Sequence, residues 1–183
     1  MANGTLKVSN IQTSSGSGTI TLGQSGETIS IPSGVTLTGV AGQANDPSFH
    51  AYNPQNGSID SGTDVVISNN TELFDSSSAY DTTTYKFTPQ VAGYYFLYSN
   101  VRYQSGDAQF DRINLVITKN GSAILAARNG HQDYTTCNVS GIVQANGSSD
   151  YFQMTSYHGK GSAVSITQDD EYTYFGGFLV KKS

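Results

Sequence analysis

Residues 74–96 read FDSSSAYDTTTYKFTPQVAGYYF, and this stretch decides the fold. Aromatic residues favour pleated strands, whereas Asp, Ser, Pro and Gly favour turns. Here the two kinds alternate in short blocks, and the last block is Gly93 followed by three aromatic residues. The stretch predicts strands over residues 85–88 and 93–104.

The same pattern continues on both sides of this stretch. Lys119-Asn120-Gly121-Ser122 is the clearest hairpin in the chain, because Asn-Gly supplies the positive φ angles of a two-residue turn. No amphipathic helix is found, and 12 Tyr, 8 Phe and 20 Gly favour strands and turns. The sequence therefore predicts an all-β sandwich, with further strands at 49–52, 63–73, 112–119, 122–128, 136–145, 150–157, 163–167 and 172–181.

The first part of the chain differs from the rest, since no aromatic residue precedes Phe49. We predict an N-terminal stalk or attachment segment at 1–42 and a head at 43–183. Short alternating pairs of apolar residues in the segment lack a core of their own to cover them. Either three chains wrap around one axis and bury these residues, or the segment is a flexible Ser/Gly linker. The residues concerned are Ile20, Leu22, Ile29, Ile31, Val35 and Leu37.

The head resembles the globular head of complement component C1q and the related tumour necrosis factor-like jelly rolls. The likeness covers about 130 residues and lies in the order and spacing of its motifs. One departure is Pro89, which stands one place earlier than in the family, and others are Leu97 and Ser99, which replace two aromatic residues. The matching motifs are Asp75, Tyr80-Asp81, Phe87 six positions before Gly93, Tyr94-Tyr95, Leu115 through Lys119-Asn120-Gly121, and Phe175-Gly-Gly-Phe178-Leu179.

That resemblance implies a ten-stranded antiparallel jelly roll that assembles as a homotrimer, with the last strand near the threefold axis. Phe175, Phe178 and Val180 form an apolar group in that strand. We expect them, together with the apolar residues of the stalk, to lie in the trimer interface.

The N-terminal zone resembles the fibre proteins of tailed bacteriophages, especially marine ones. This likeness implies a virion protein whose N-terminal segment attaches to other virion proteins and whose head faces the host cell. The first residues carry no apolar signal-peptide core, and no run of about twenty apolar residues is present. We therefore expect synthesis in the host bacterial cytoplasm and no insertion into a membrane.

Composition and motifs argue against several other functions. The net charge of −5 disfavours a nucleic-acid partner, which requires clustered Lys and Arg. The single cysteine, Cys137, excludes an internal disulfide and is predicted to be a buried apolar residue. No catalytic motif is present and the three histidines are scattered, so we predict no enzyme and no cofactor. Calcium is a weaker alternative, with candidate ligands Asp169, Asp170 and Glu171 and a contribution from Asp107 or Asp111.

Recognition is expected in loops that combine aromatic, amide and charged side chains. The candidate contacts with a host-surface glycan or protein are Tyr103, His131, Tyr134, Tyr157 and His158. The alternative is a decoration protein of the capsid or tail that binds no receptor. An enzyme that trims surface polysaccharide is a more distant possibility.

Overall fold

The structure, a computed structural model, describes residues 46–55, 57–104, 110–132, 136–167 and 169–183. Of the N-terminal segment it describes positions 11, 19–21, 26, 28 and 30. The Cα positions divide the chain into Met1–Ala41 and Gly42–Ser183. Every strand named below lies in the second unit, which is the head.

The described residues form thirteen strands, and every pairing between them is antiparallel. The strands are β1 Ser48–Tyr52, β2 Ser58–Ile59, β3 Val65–Val66, β4 Thr71–Asp75, β5 Tyr80–Asp81, β6 Lys86–Phe87, β7 Ala92–Arg102, β8 Phe110–Lys119, β9 Ser122–Gln132, β10 Thr136–Asn146, β11 Phe152–His158, β12 Val164–Ser165 and β13 Tyr174–Lys182.

Two sheets pack face to face as a jelly-roll-like sandwich. The first sheet has the order β10-β7-β13-β1-β4. The second has the order β5-β6-β11-β8-β9, with β3 also paired to β11, and β2 pairs with β12 in a small third sheet. The all-β sandwich predicted from the sequence is confirmed.

Stacked aromatic rings form the centre of the core. The Phe49 ring stacks on Phe87 and Tyr80, with ring centroids 4.3 and 4.9 Å apart, and meets Phe175 edge-on at 5.0 Å. Phe49, Phe87 and Phe175 have no exposed surface. Because Phe87 and Tyr80 belong to the second sheet and Phe49 and Phe175 to the first, this stack holds the two sheets together.

The stretch that decides the fold owes its shape to two aspartates. Asp75 accepts hydrogen bonds from the backbone N–H groups of Ser77 and Tyr80, at 3.1 and 2.8 Å. Asp81 accepts from the N–H groups of Thr83 and Thr84, at 2.7 and 3.2 Å, and these bonds lower the pKa of its carboxyl. Each carboxylate closes a turn, which directs Tyr80 and Phe87 into the core.

The glycines of the Phe-Gly-Gly-Phe motif in β13 are required by close packing. A Cβ atom at Gly176 would overlap the Tyr98 ring, and one at Gly177 would overlap the Leu97 side chain. The neighbouring strand β7 therefore lies against β13 with its large side chains directly over the glycine backbone.

The predicted hairpin at Asn120-Gly121 is confirmed, with φ angles of 52° and 81° at its two central residues. The predicted strand at 63–73 is wrong, because it is broken between β3 and β4. Asn69 lies in the break, where its N–H bonds to the carbonyl of Ile67 and its carbonyl accepts the Tyr80 hydroxyl. Because both backbone groups of Asn69 are used in these hydrogen bonds, they are not available for pairing with a neighbouring strand.

The ten predicted strands become thirteen, because the predicted strand at 63–73 is divided into β3 and β4 and because the sequence did not predict the short strands β2 and β5. The two departures from the family's aromatic pattern are accommodated inside the core. Leu97 is fully buried and Ser99 is 2% exposed, and within the part of the chain that the structure describes the hydroxyl of Ser99 has no hydrogen-bond partner.

Candidate functional site

The outward side of the first sheet carries a continuous group of aromatic rings. Side chains alternate along each strand, so those that do not enter the core project from the opposite face. On β1, β4, β7 and β13 these outward side chains include several aromatic rings. We call the group the aromatic face; its members are His50, Phe74, Phe96, Tyr98, Tyr174 and Phe178.

Ring contacts link all members of the aromatic face. His50 lies 6.4 Å from Phe74, 5.8 Å from Tyr98 and 5.3 Å from Tyr174 between ring centroids. The group continues through Phe96, which lies 6.2 Å from Tyr98 and 5.6 Å from Phe178. The rings thus form a single patch across four strands.

His50 is held at the centre of this patch by Tyr98. In the register of the sheet both residues are opposite Gly176, which has no side chain to separate them. The Nδ1 atom of His50 and the hydroxyl of Tyr98 are 3.0 Å apart and form a hydrogen bond. Burial lowers the pKa of His50, and the Asp170 carboxylate opposes that shift to a smaller extent.

Phe74 of the aromatic face and several apolar or aromatic side chains beside the face are exposed. Phe74 is 47% exposed and Tyr94 is 41% exposed, and Ile142 on β10 reaches 61%. Val180, at the bulge in β13, is 50% exposed. Contiguous apolar surface of this kind is typical of an interaction site.

The predicted trimer-interface residues are only partly brought together by this face. Phe178 belongs to the aromatic face and Val180 lies beside it. Phe175 does not, because its ring is fully buried in the core of its own chain. Ile20 is 41% exposed, whereas Leu22, Ile29, Ile31, Val35 and Leu37 lie outside the described residues.

Two of the predicted receptor contacts are wrong because their side chains are buried. Tyr103 is 1% exposed and its hydroxyl bonds to Ser156 Oγ at 2.8 Å, and burial raises its pKa to about 12. His158 is fully buried, with Nε2 2.9 Å from the carbonyl oxygen of Ile59. The alternation of the strands places both inward, Tyr103 in line with Val101 and His158 in line with Ser156.

The remaining receptor candidates have different positions. Tyr157 is half-buried on the outward side of the second sheet, with the Arg112 guanidinium 4.2 Å above its ring. Tyr134 and the side chain of His131 lie outside the described residues. The structure therefore leaves Tyr157 as the described candidate that reaches the surface.

Asp169, Asp170 and Glu171 are exposed in the turn before β13, and Asp107 lies outside the described residues. Within the described ranges, no three His, Cys, Asp or Glu side chains converge in a way that could hold a metal ion. The prediction that Cys137 is buried is confirmed, and burial raises the pKa of its thiol. No helix in the described residues is long and apolar enough to cross a membrane.

Comparison with known proteins identifies the fold family. The sequence profile of the C1q domain matches residues 49–180. The chain belongs to the C1q domain family. Such domains are non-enzymatic ligand-binding modules that often form trimers.

Solved structures of related fold agree. The chain is similar to the globular domain of zebrafish complement 1qA protein, with 15% identity, a TM-score of 0.52, and 75% of this chain and 99% of that chain covered. It is also similar to Eiger TNF from S. frugiperda (9% identity, TM-score 0.55, 74% and 93% covered) and to murine APRIL at pH 8.0 (11%, 0.53, 73% and 98%). At these identities the likeness concerns the fold alone. A search of curated protein sequences finds no match.

Proposed function

We propose that this C1q-family protein is a virion structural protein, a homotrimeric tail or capsid fibre whose C-terminal head attaches to the host surface. The observation that supports it best is the aromatic face, because a sandwich does not need an apolar surface on the outside. The N-terminal segment serves as the stalk or as the attachment to other virion proteins, and the head carries the binding surface.

Another copy of the chain is the occupant that best suits the aromatic face. The face offers apolar rings with few charged groups, which is typical of the buried centre of a permanent interface between copies. Phe178 and Phe96 lie directly opposite each other across β13 and β7, so they present one joint apolar surface. The C1q family's tendency to form trimers supports three copies around an axis.

The oligomeric state of the full chain tests this half of the proposal. Size-exclusion chromatography with light scattering is expected to give a trimer for the unchanged protein. Phe178→Ser with Ile142→Ser removes apolar area from the face, and the mass should fall to that of one chain. The matched control is Thr155→Ser with Gln153→Ser on the outward side of the second sheet, which should leave a trimer. A monomer for the unchanged protein would overturn the trimer.

Host attachment is tested separately, by mixing fluorescently labelled protein with host cells. Saturable binding at micromolar protein supports an attachment role. Its absence, with the trimer intact, favours the decoration protein that needs no receptor. Labelling of purified virions with antibody against the head then shows whether the protein lies on the particle at all, and unlabelled virions would overturn the proposal.

A further inference from the structure

Two of the three arginines of the chain, Arg112 and Arg128, lie at diagonal positions of neighbouring strands on the outward side of the second sheet. Arg112 is opposite Gly130 in the pairing of β8 with β9, and Arg128 is opposite Asn114. Since Ile113 and Leu115 enter the core, Arg112 and Asn114 point outward, and so does Arg128. Diagonal neighbours of this kind lie within about 8 Å of each other.

Neither guanidinium has a carboxylate partner among the described residues, where the ion pair found is Lys119 with Asp150. This is unexpected in a chain with 14 acidic and 9 basic side chains. The Arg112 guanidinium lies over the Tyr157 ring on β11, whereas Arg128 extends from β9, on the other side of β8. A ligand with acidic groups that lies across β8 can therefore bond to both cations.

The arginine pair adjoins a row of three side chains across the sheet. Tyr157 is opposite Asn114, and Asn114 is opposite Arg128, so the row crosses β11, β8 and β9. Neighbouring strands are about 4.8 Å apart, which makes the row roughly 10 Å long. That length matches one to two sugar rings, and it combines an aromatic ring, an amide and a cation.

Arg112 is positioned beside this row rather than within it. Its guanidinium lies 4.2 Å above the Tyr157 ring, which limits the freedom of a long side chain. Its neighbour on β9 is Gly130, and Gly159 at the end of β11 donates its N–H to the Arg112 carbonyl at 2.9 Å. Glycine at both opposite positions leaves room for the Arg112 side chain to lie over the Tyr157 ring.

Asn114 provides an independent observation. Its Oδ1 atom is buried and has no hydrogen-bond donor among the described residues. Such an acceptor is destabilising until a donor reaches it. A ligand with hydroxyl groups, lying along the row between Tyr157 and Arg128, supplies the missing donor when the half-buried Asn114 amide turns its Oδ1 atom toward the surface.

We infer that Arg112, Arg128, Asn114 and Tyr157 form a binding site for an acidic saccharide, whose carboxylate or sulfate groups pair with the two guanidinium groups. This inference deepens the proposed attachment function and rests on it, because it assigns the head a class of ligand. It does not require the trimer, since the site is built within one chain and lies on the other sheet from the aromatic face.

Isothermal titration calorimetry of the full chain tests the ligand class. The probes are tetragalacturonic acid, which carries carboxylates, a sulfated tetrasaccharide, and neutral maltotetraose. Saturable binding of one or both acidic probes, weakened by added salt and absent for maltotetraose, is expected, and the two acidic probes distinguish carboxylate from sulfate. Equal binding of maltotetraose, or no binding of either acidic probe at millimolar concentration, overturns the site.

Variants locate the binding. Arg112→Gln and Arg128→Gln should each weaken it by roughly tenfold or more, and Asn114→Asp should abolish it by adding a negative charge. Arg102→Gln is the matched control, because Arg102 also lies over a tyrosine, Tyr172 at 4.5 Å, but belongs to the first sheet. Unchanged melting temperatures verify folding, and binding that survives all three site variants excludes these residues.

Two outcomes separate this inference from the functions it extends. If the acidic tetrasaccharide binds through the two arginines but host cells are not bound, attachment fails and the site stands. If host cells are bound equally by the Arg112→Gln and Arg128→Gln variants, attachment stands and the site is not its receptor contact. A hexaglutamate peptide that binds as tightly as the saccharide would overturn the assignment to sugars.

Discussion

The two sheets of the sandwich differ in where their aromatic residues lie. The first sheet is aromatic on both sides, with Phe49 and Phe175 facing the core and Tyr98 and Phe178 facing outward. The second sheet has aromatic rings mainly on its inner side, and outside it presents amides, hydroxyls and arginines. The strands of both sheets are antiparallel, so the strand type does not explain this difference, and the residues on each strand do.

The comparison of the two outer sides shows which apolar residues the fold requires and which it does not. A sandwich is stable when each sheet buries one apolar face, and the second sheet meets that requirement without excess. The outer aromatic side of the first sheet is additional, and leaving it in water is unfavourable. It is therefore the part of the head for which we propose a partner, whereas the outer side of the second sheet is suited to water and to polar ligands.

The largest effect is expected when the inner and outer sides of β13 are compared. Phe175→Ala removes a fully buried ring that contacts Phe49 and Tyr80, and should lower the free energy of unfolding by about 3–5 kcal/mol. Phe178→Ala, three residues later and half-buried, should lower it by about 1 kcal/mol in the separated chain. Urea denaturation at several protein concentrations measures both.

The two substitutions should differ in their effect on assembly, because Phe178 lies on the aromatic face and Phe175 does not. Among chains that remain folded, Phe178→Ala is expected to weaken self-association, and the concentration dependence of unfolding reports this. Equal losses of stability for the two variants at every concentration would remove the distinction between the inner and the outer side of the first sheet.

A smaller effect is expected from adding one methyl group to the outer side. In Gly176→Ala the new Cβ collides with the Tyr98 ring and disturbs its hydrogen bond to His50, at a cost of about 1–3 kcal/mol. Gly57→Ala is the control, because its Cβ would meet Ile166 at an ordinary contact distance of 3.9 Å. Thermal unfolding followed by circular dichroism compares them; similar melting temperatures would contradict the close approach of β7 and β13.

Features governed by short-range physics could be predicted from the sequence. The Asn120-Gly121 turn depends on two residues that tolerate positive φ, and the turns at Asp75 and Asp81 depend on carboxylates that bond to nearby backbone N–H groups. The order and type of the long strands followed from the alternation of apolar residues between such turns. These signals are local, so one sequence is enough to find them.

The faces of the first sheet were harder to predict, since Tyr94, Tyr95 and Phe96 are three consecutive aromatic residues and do not show which side is buried. In the structure Tyr95 is buried in the core, and its two neighbours, Tyr94 and Phe96, point outward. Tyr103 and His158 were assigned to loops, although the period of two along their strands places them inward. The arginine pair depends on the register of β8 with β9, which shifts between Ile117 and Thr118, and the Asn120-Gly121 turn alone does not predict that shift.

A third test concerns the second sheet. Gly121→Ala places a side chain at a φ of 81°, where a Cβ atom is unfavourable, and should lower the free energy of unfolding by about 1 kcal/mol. The hairpin lies far from the aromatic face in the strand order, so the mass measured by light scattering should stay the same. A change in mass without a change in stability would show that the second sheet also takes part in assembly.

The smallest effect is expected from pH, and it concerns the centre of the aromatic face. Because burial lowers the pKa of His50 below its ordinary value of 6.5, the folded head binds fewer protons than the unfolded chain just below that pH. Its stability should therefore fall as the pH decreases through about 6.5, and level off once the pH is below the pKa of the folded head. Tyr98 and Tyr174 pack against His50 and Asp170 is the charged group near it, so the carboxylate keeps the effect small.

In His50→Gln the drop in melting temperature between about pH 7.5 and about pH 5.5 should be smaller than in the unchanged protein by about 1–2 °C. Replacing His158, which lies in the core between the sheets, does not remove this component, and an identical pH dependence with and without His50 would mean that this ring is not desolvated.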